Sequence, residues 1–497
     1  MKFKSFLAKP YANFIYRIIK KGMVNAVNDQ QAIFDTLIKH AAKTKFGTDH
    51  HFDKIKSYED FVQYVPMRDY EALKSYIDLV KEGKHNILWK GVPLYFAKTS
   101  GTTSGVKYIP ISKESINNHI NTARNALLCY MAETGNSSFA DGKMIFLSGS
   151  PELERIGNIP TGRLSGIVNH HVPRYLRSNQ LPSFETNCIE EWEKKLEKIV
   201  DETIQEKMTL ISGIPPWMQM YFDKLQERSG KKVGELFPHF SLMVQGGVNF
   251  EPYERKLIES IGRSIDTIEL YPASEGFFAF QDSQKNQGML LNTNSGIFFE
   301  FVPVSEINKE NPARLMLKDV KPGENYALIV SSNAGLWAYN TGDTVKFLSA
   351  EPYRLIVTGR IKHFISAFGE HVIGEEVESA LIEATNEDTR VIEFTVAPQV
   401  SEGKGKSYHD WFIEFEEVPN NLNALAKQID DNLRKRNMYY NDLISGNILL
   451  PLKITPVIKN GFIAYMKDMG KLGGQNKIPR LSNDRKIADG LQQYVMN

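Results

Sequence analysis

Between about Leu94 and Phe347 short apolar runs of strand length (MIFLSG, TLISGI, SLMVQGG, TIELYPAS, YALIVSS) alternate with helical stretches such as Glu190 to Glu206. Runs that stay apolar at successive positions are covered on both faces, and their interleaving with helices specifies an α/β architecture around a largely buried sheet. The first ninety residues read mainly as helices, with apolar spacings near three and four over Asp29 to Lys45, Tyr58 to Tyr64 and Glu71 to Glu82. After Gly359 and Arg360 the order changes to a helix from Glu375, strands VIEFTVA and HDWFIEFEEV, a helix through Asn421 to Arg436, then LPLKITPV. That order predicts a separate, smaller α+β domain. The expected division is a large α/β domain over 1–361 and a small domain over 362–497.

The 497 residues carry 60 basic and 59 acidic side chains, so no global field exists to hold nucleic acid, and any phosphate chemistry must be local. No stretch is long and apolar enough to span a bilayer. The N-terminus MKFKSFLAKPYANFIYRIIKKGM is basic and lacks the unbroken apolar core of a signal peptide; it reads as a helix packed on its own protein rather than as a membrane-surface helix. Cys129 and Cys188 are too few for a disulfide framework or thiolate zinc cluster, which fits a reducing, cytoplasmic setting. The adjacent pairs His50/His51 and His170/His171 lack further spaced ligands and read as solvated rather than as a zinc site.

Four segments carry candidate chemistry. In Thr99 to Lys107, TSGTTSGVK, Gly101 and Gly105 bracket hydroxyl residues whose side chains and amides can donate to phosphate oxygens, and Lys107 adds a cation. The spacing differs from G-x-x-x-x-G-K-[ST], and strand-like YIPI follows where that motif has a helix, so the run points to another phosphate-binding fold or to a plain turn. In TIELYPASEG a strand ends at Tyr271, Ser274 and Glu275, which sets an aromatic ring and a carboxylate at a strand terminus; Glu275 can hold a hard cation such as Mg²⁺. In WAYNTGD, Asp343 sits in an apparent Gly-Asp turn and can accept two bonds from a ribose diol, while Arg360 of YRLIVTGR offers a donor fork. In GGQNKIPR, Lys477 lies in a loop preceded by glycines and followed by proline.

In this order the segments resemble the adenylate-forming superfamily of acyl-CoA synthetases, luciferases and peptide-synthetase adenylation domains. Within it, FGTDHHF, SYEDFVQYVPMRDYE, ISGIPPW and QNKIPR look like markers of the auxin-responsive acyl-acid amido synthetases, the Gretchen Hagen family, including its bacterial relatives. The resemblance implies a large ATP- and acyl-binding α/β domain with a mobile C-terminal lid, and a ligase that adenylates a carboxylic acid and transfers the acyl group to an amine, such as an amino acid, with ATP and Mg²⁺. It implies that Ser100, Thr102 and Thr103 bind phosphates, with Tyr271, Ser274 and Glu275 around nucleotide and metal. Gly246 and Gly247 would line the adenine, Asp343 would bind the ribose and Arg360 would support the nucleotide. Lys362 would be the hinge, and Lys477 the lysine that the small domain swings into the adenylation site. The acyl pocket would draw on Asn121 to Leu128 and Trp217, although Trp217 reads equally as core. Two departures stand out: Asn340 occupies a position where the family commonly has arginine, and the short Gly105-to-Lys107 spacing separates Lys107 from the pattern. An acyl-CoA ligase shares the first half-reaction, and a non-catalytic nucleotide-binding protein is the remaining alternative.

Overall fold

The computed structural model describes residues 3–100, 106–172, 177–189, 191–247, 250–307, 309–361, 364–365, 372–385, 389–399, 407–445, 449–472, 477–482 and 484–496. The chain forms two compact units, the larger comprising Met1–Thr341 and Val345–Ile356, the smaller Gly342–Thr344 and Val357–Asn497.

The N-terminal helix α1 (Phe3–Ala41) runs for 39 residues. Farther on, Ser57 caps Tyr58–Tyr64 with a capping box to Asp60, and Asp69 caps helix α2 (Tyr70–Lys81) by accepting from the Ala72 amide. These caps satisfy helix-start amides that otherwise lack acceptors, which is why helices begin at those points.

The large unit is organised on a twelve-stranded mixed sheet. Its parallel centre consists of β3 (Lys143–Phe146), β4 (Met208–Gly213), β5 (Leu242–Gly246) and β6 (Asp266–Ala273), adjacent in that order. A two-residue turn, Ser274-Glu275, then reverses the chain into antiparallel β7 (Gly276–Phe280). One sheet face, bearing Leu210, Leu242, Val244 and Ile268, packs on helix α3 (Ile116–Thr134), with Ala12, Ile15, Ile19 and Met23 of α1 in the same cluster. Before these strands lies an antiparallel hairpin of β1 (Tyr95–Ser100) and β2 (Val106–Ile111), in a separate four-stranded sheet. A buried triad fixes another part of the large unit: the Arg314 guanidinium and the Tyr58 hydroxyl both donate to Glu300 Oε1, at 2.9 and 2.8 Å.

In the small unit, helix Gly374–Ala384 and helix Leu422–Arg436 cover a sheet of Val391–Gln399, Tyr408–Phe415 and Lys453–Val457. Asn421 caps the second helix. Trp411, Phe394 and Ile413 lie in its core. The observed architecture is therefore the expected large α/β part followed by a smaller α+β part.

Candidate active site

The β1–β2 hairpin pairs Ser100 with Val106 and Thr99 with Lys107, so the backbone stems of the phosphate-loop segment stand opposite one another. Thr102 and Thr103 lie outside the described residues, as does Lys362. Lys107 projects from a strand, with its ammonium 5.8 Å from the centre of the Tyr70 ring, the first residue of α2. The Tyr70 hydroxyl accepts a hydrogen bond from the Tyr108 amide at 3.0 Å, which ties α2 to β2.

Glu275 occupies the tip of the β6–β7 turn, beside Ser274. Its carboxylate lies close enough to the Tyr339 phenol for the two to interact electrostatically. Tyr339 is 1% exposed, and burial, followed by the negative charges of Glu275 and Asp69, holds its phenol far above the usual tyrosine pKa. The phenol is thus a permanent donor at physiological pH. Its own position is fixed by backbone: the Arg68 amide donates to Ala338 O at 3.0 Å and the Asn340 amide donates to Arg68 O at 2.7 Å. The Ser331 hydroxyl accepts from the Ala338 amide, and Ala338 is held at φ 42°, a conformation that costs energy for a residue with a Cβ. Three distant segments, PMRDYE, YPASEG and YNTGD, therefore meet around Tyr339.

Neither Tyr339, Asp69 nor Tyr70 stood out individually in the sequence. The PMRDYE run resembles a family marker, and nothing in its composition says that it pairs with a strand about 270 residues later.

Tyr271 is buried, its ring edge-on to Phe278 with centroids 5.1 Å apart. Gly246 ends β5 opposite Leu270, and a Cβ there would lie 2.2 Å from Leu270 O, so close strand approach alone already demands glycine. Gly247 follows at φ +84°, turning the chain out of the sheet. Trp217, on helix Pro215–Ser229, is 5% exposed and stacks obliquely on Trp192 at 4.6 Å, as a core residue does.

In the small unit, Asp343, Arg360 and Lys477 form one electrostatic group. Arg360 Nε donates to Asp343 Oδ1 at 2.8 Å. Desolvation of the Lys477 ammonium and the adjacent Arg360 lower its pKa to about 8, against the pull of Asp343, although the residue as a whole remains exposed. The expected Gly-Asp turn is not a turn: Asp343 lies within the continuous strand β8 (Tyr339–Ala350), and Arg360 ends its successor β9 (Tyr353–Arg360). Gly342, at φ +81°, absorbs the local bend without breaking the strand.

The histidine pairs are not simply solvated. His50 stacks on Phe46 and faces Arg68 Nη2, His170 meets Pro151 O and His171 meets the Tyr95 hydroxyl. Among the described residues no group of three or more His, Cys, Asp or Glu side chains is arranged to hold a metal ion.

Comparison with known proteins follows the same division. The GH3 family N-terminal, central and C-terminal domain models match residues 15–185, 290–360 and 375–486, in order and together over well more than half of the chain. The chain belongs to the GH3 family. Among curated GH3 relatives, indole-3-acetic acid-amido synthetase GH3.3 of Arabidopsis thaliana is 24% identical over 46% of this chain and 41% of its own length. Jasmonoyl–L-amino acid synthetase JAR4 of Nicotiana attenuata is 21% identical over 72% of this chain and 74% of its own. The match thus spans less than half of the Arabidopsis relative. Among solved structures, GH3.15 acyl acid amido synthetase has the same fold, with a TM-score of 0.79 at 15% identity over 97% of this chain and 96% of that one. A 2-hydroxyisobutyryl-CoA ligase in its postadenylation state shares the fold more distantly, with a TM-score of 0.61 at 13% identity over 94% and 90% of the two chains.

Proposed function

We infer that this GH3 protein is an ATP-dependent acyl acid amido synthetase. A substrate carboxylate attacks the α-phosphorus of ATP and expels pyrophosphate; an amine, such as that of an amino acid, then attacks the acyl carbonyl, loses a proton and expels AMP. The observation that carries this reading is the approach of the Tyr339 phenol to the Glu275 carboxylate, which brings two of the motif segments together in a GH3 fold. A carboxylate set beside a phenol at a strand terminus suits a hard cation alongside phosphates. Bound there, Mg²⁺ would supply charge neutralisation for the phosphate oxygens. Ser100, Thr102 and Thr103 would donate to those oxygens, with Lys107 as an accessory cation. Gly246, Gly247, Tyr271 and Ser274 would border the nucleotide. Asp343 would take the ribose diol, with Arg360 holding its carboxylate. Lys477 would be the cation that offsets charge building on the departing pyrophosphate, delivered by movement at Lys362. Trp217 would support the acyl side from within the core. The free thiols of Cys129 and Cys188 accord with a cytoplasmic setting.

The test is acid-dependent pyrophosphate release over a panel of carboxylic acids, followed by product analysis with amino acids and, separately, with coenzyme A. Amide formation without a response to coenzyme A supports the reading. Thioester formation would transfer the assignment to an acyl-CoA ligase, and ATP binding with no acid-dependent release would remove catalysis altogether.

A further inference from the structure

Helix α1 uses only part of its apolar surface for packing. Ala12 is fully buried, and Ile15, Tyr16, Ile19 and Met23 lean on the core that α1 shares with α3. Outside that contact stand Tyr11, Phe14 and Ile18, exposed by 45, 58 and 50%. Their spacing of three and four places them on one ridge. Along one side of the ridge run Arg17 and Lys21, both exposed and each three residues beyond a ridge residue. On the other side Arg124 of α3 sets its guanidinium 6.0 Å from the Tyr11 ring centre.

Charge singles out the same region. From Met1 to Asn28 the sequence holds six basic residues, Lys2, Lys4, Lys9, Arg17, Lys20 and Lys21, and no acidic one, in a chain whose net charge is only +1. Scattered exposed apolar residues need no explanation, but a contiguous aromatic and aliphatic ridge edged by cations of one sign does. A second copy of the chain meeting this ridge about a two-fold axis would set Arg17 and Lys21 near their own counterparts, at a repulsive cost. A bilayer with anionic headgroups satisfies both features, since the apolar ridge enters the headgroup and acyl boundary while the cations remain at the phosphate level.

We propose that this face of α1, with Arg124 of α3, docks the protein reversibly on an anionic membrane surface. The binding is peripheral: among the described residues no helix is long and apolar enough to cross a membrane.

The experiment is co-sedimentation of the full chain with vesicles of phosphatidylcholine alone or with about one-third phosphatidylglycerol, at low and high salt. The parent protein is expected to pellet with the anionic vesicles only, and less at high salt. Arg17→Gln with Lys21→Gln should lower the partition coefficient about fivefold for each cation removed. Phe14→Glu with Ile18→Glu should lower it at least as far, while circular dichroism and thermal unfolding stay unchanged because both positions are exposed. The proposal is overturned if the parent ignores anionic vesicles, or if the Phe14→Glu/Ile18→Glu variant binds as the parent does. It is equally overturned if sedimentation velocity shows a parent dimer that this variant dissolves, which would assign the ridge to self-association.

Discussion

Replacing Glu269 by glutamine is expected to stabilise the large unit above neutral pH and to do little in acid. Glu269 lies in β6, in register with Gln245 of β5, and its own amide donates to Gln281 Oε1 at 3.0 Å. Burial pushes its carboxyl from the ordinary 4.5 up to about 7. The neighbouring Gln245 is 3% exposed, and among the described residues its Oε1 has no hydrogen-bond partner. A protonated carboxyl or a glutamine amide can donate to that oxygen, whereas a carboxylate only repels it. Because the folded pKa is raised, the native state binds more protons than the unfolded chain between about 4.5 and 7, so the favourable contribution is complete in acid and is lost as pH rises through 7. That elevation corresponds to roughly 3 kcal/mol at about pH 8 and under about 1 kcal/mol at about pH 5. Urea unfolding followed by tryptophan fluorescence is the assay, since Trp89, Trp192, Trp217 and Trp337 all belong to the large unit and Trp411 alone to the small one. Glu269→Gln should unfold at distinctly higher urea than the parent at pH 8 and at nearly the same urea at pH 5. Equal stability at both pH values, or loss of stability at pH 8, would refute the argument that the sheet buries an ionised group at a cost.

Three further outcomes are expected. Acid-dependent pyrophosphate exchange should decline above about pH 8 as the Lys477 ammonium deprotonates, and Lys477→Ala should lose roughly two to three orders of magnitude together with that basic limb; a variant that retains either the rate or the limb contradicts the role given to this lysine. Tyr339→Phe removes the hydroxyl beside Glu275, so the Mg²⁺ concentration for half-maximal exchange should rise several-fold while KM for the acid stays near the parent value; an unaltered Mg²⁺ response would dissociate the phenol from the metal. Arg314→Met strands Glu300, which is fully buried, and should cost about 3 to 5 kcal/mol in urea unfolding, most of it recovered when Glu300→Met is added.

Local elements were legible because their signals are local. The helix Tyr58–Tyr64 and the strands Met208–Gly213 and Asp266–Ala273 fall where spacing and apolar runs placed them. The Gly-Asp pair of YNTGD reads as a turn in the sequence, but a Gly-Asp pair is also compatible with a continuing strand. Here Gly342 supplies only a bend inside twelve strand residues, and the neighbouring strands hold the rest extended. The helix expected over the basic N-terminus and the helical spacing from Asp29 belong to one continuous helix, Phe3–Ala41, which Pro10 does not interrupt. Least legible was the approach of Tyr339 to Glu275. The phenol lies 64 residues along the chain and is positioned by Arg68, more than 200 residues earlier. No periodicity encodes a pairing of that separation, and only the sheet order creates it.

Strands β8 and β9 carry the chain from the large unit to the small at Gly342, back at Val345, and across again at Val357. The small unit therefore consists of the C-terminal stretch from Val357 together with a three-residue piece, Gly342–Thr344, taken from within β8. A fragment begun at Val357 would lack Asp343, the partner of Arg360. Exchange of this unit between related proteins, in the laboratory or in evolution, has to move two pieces of chain at once.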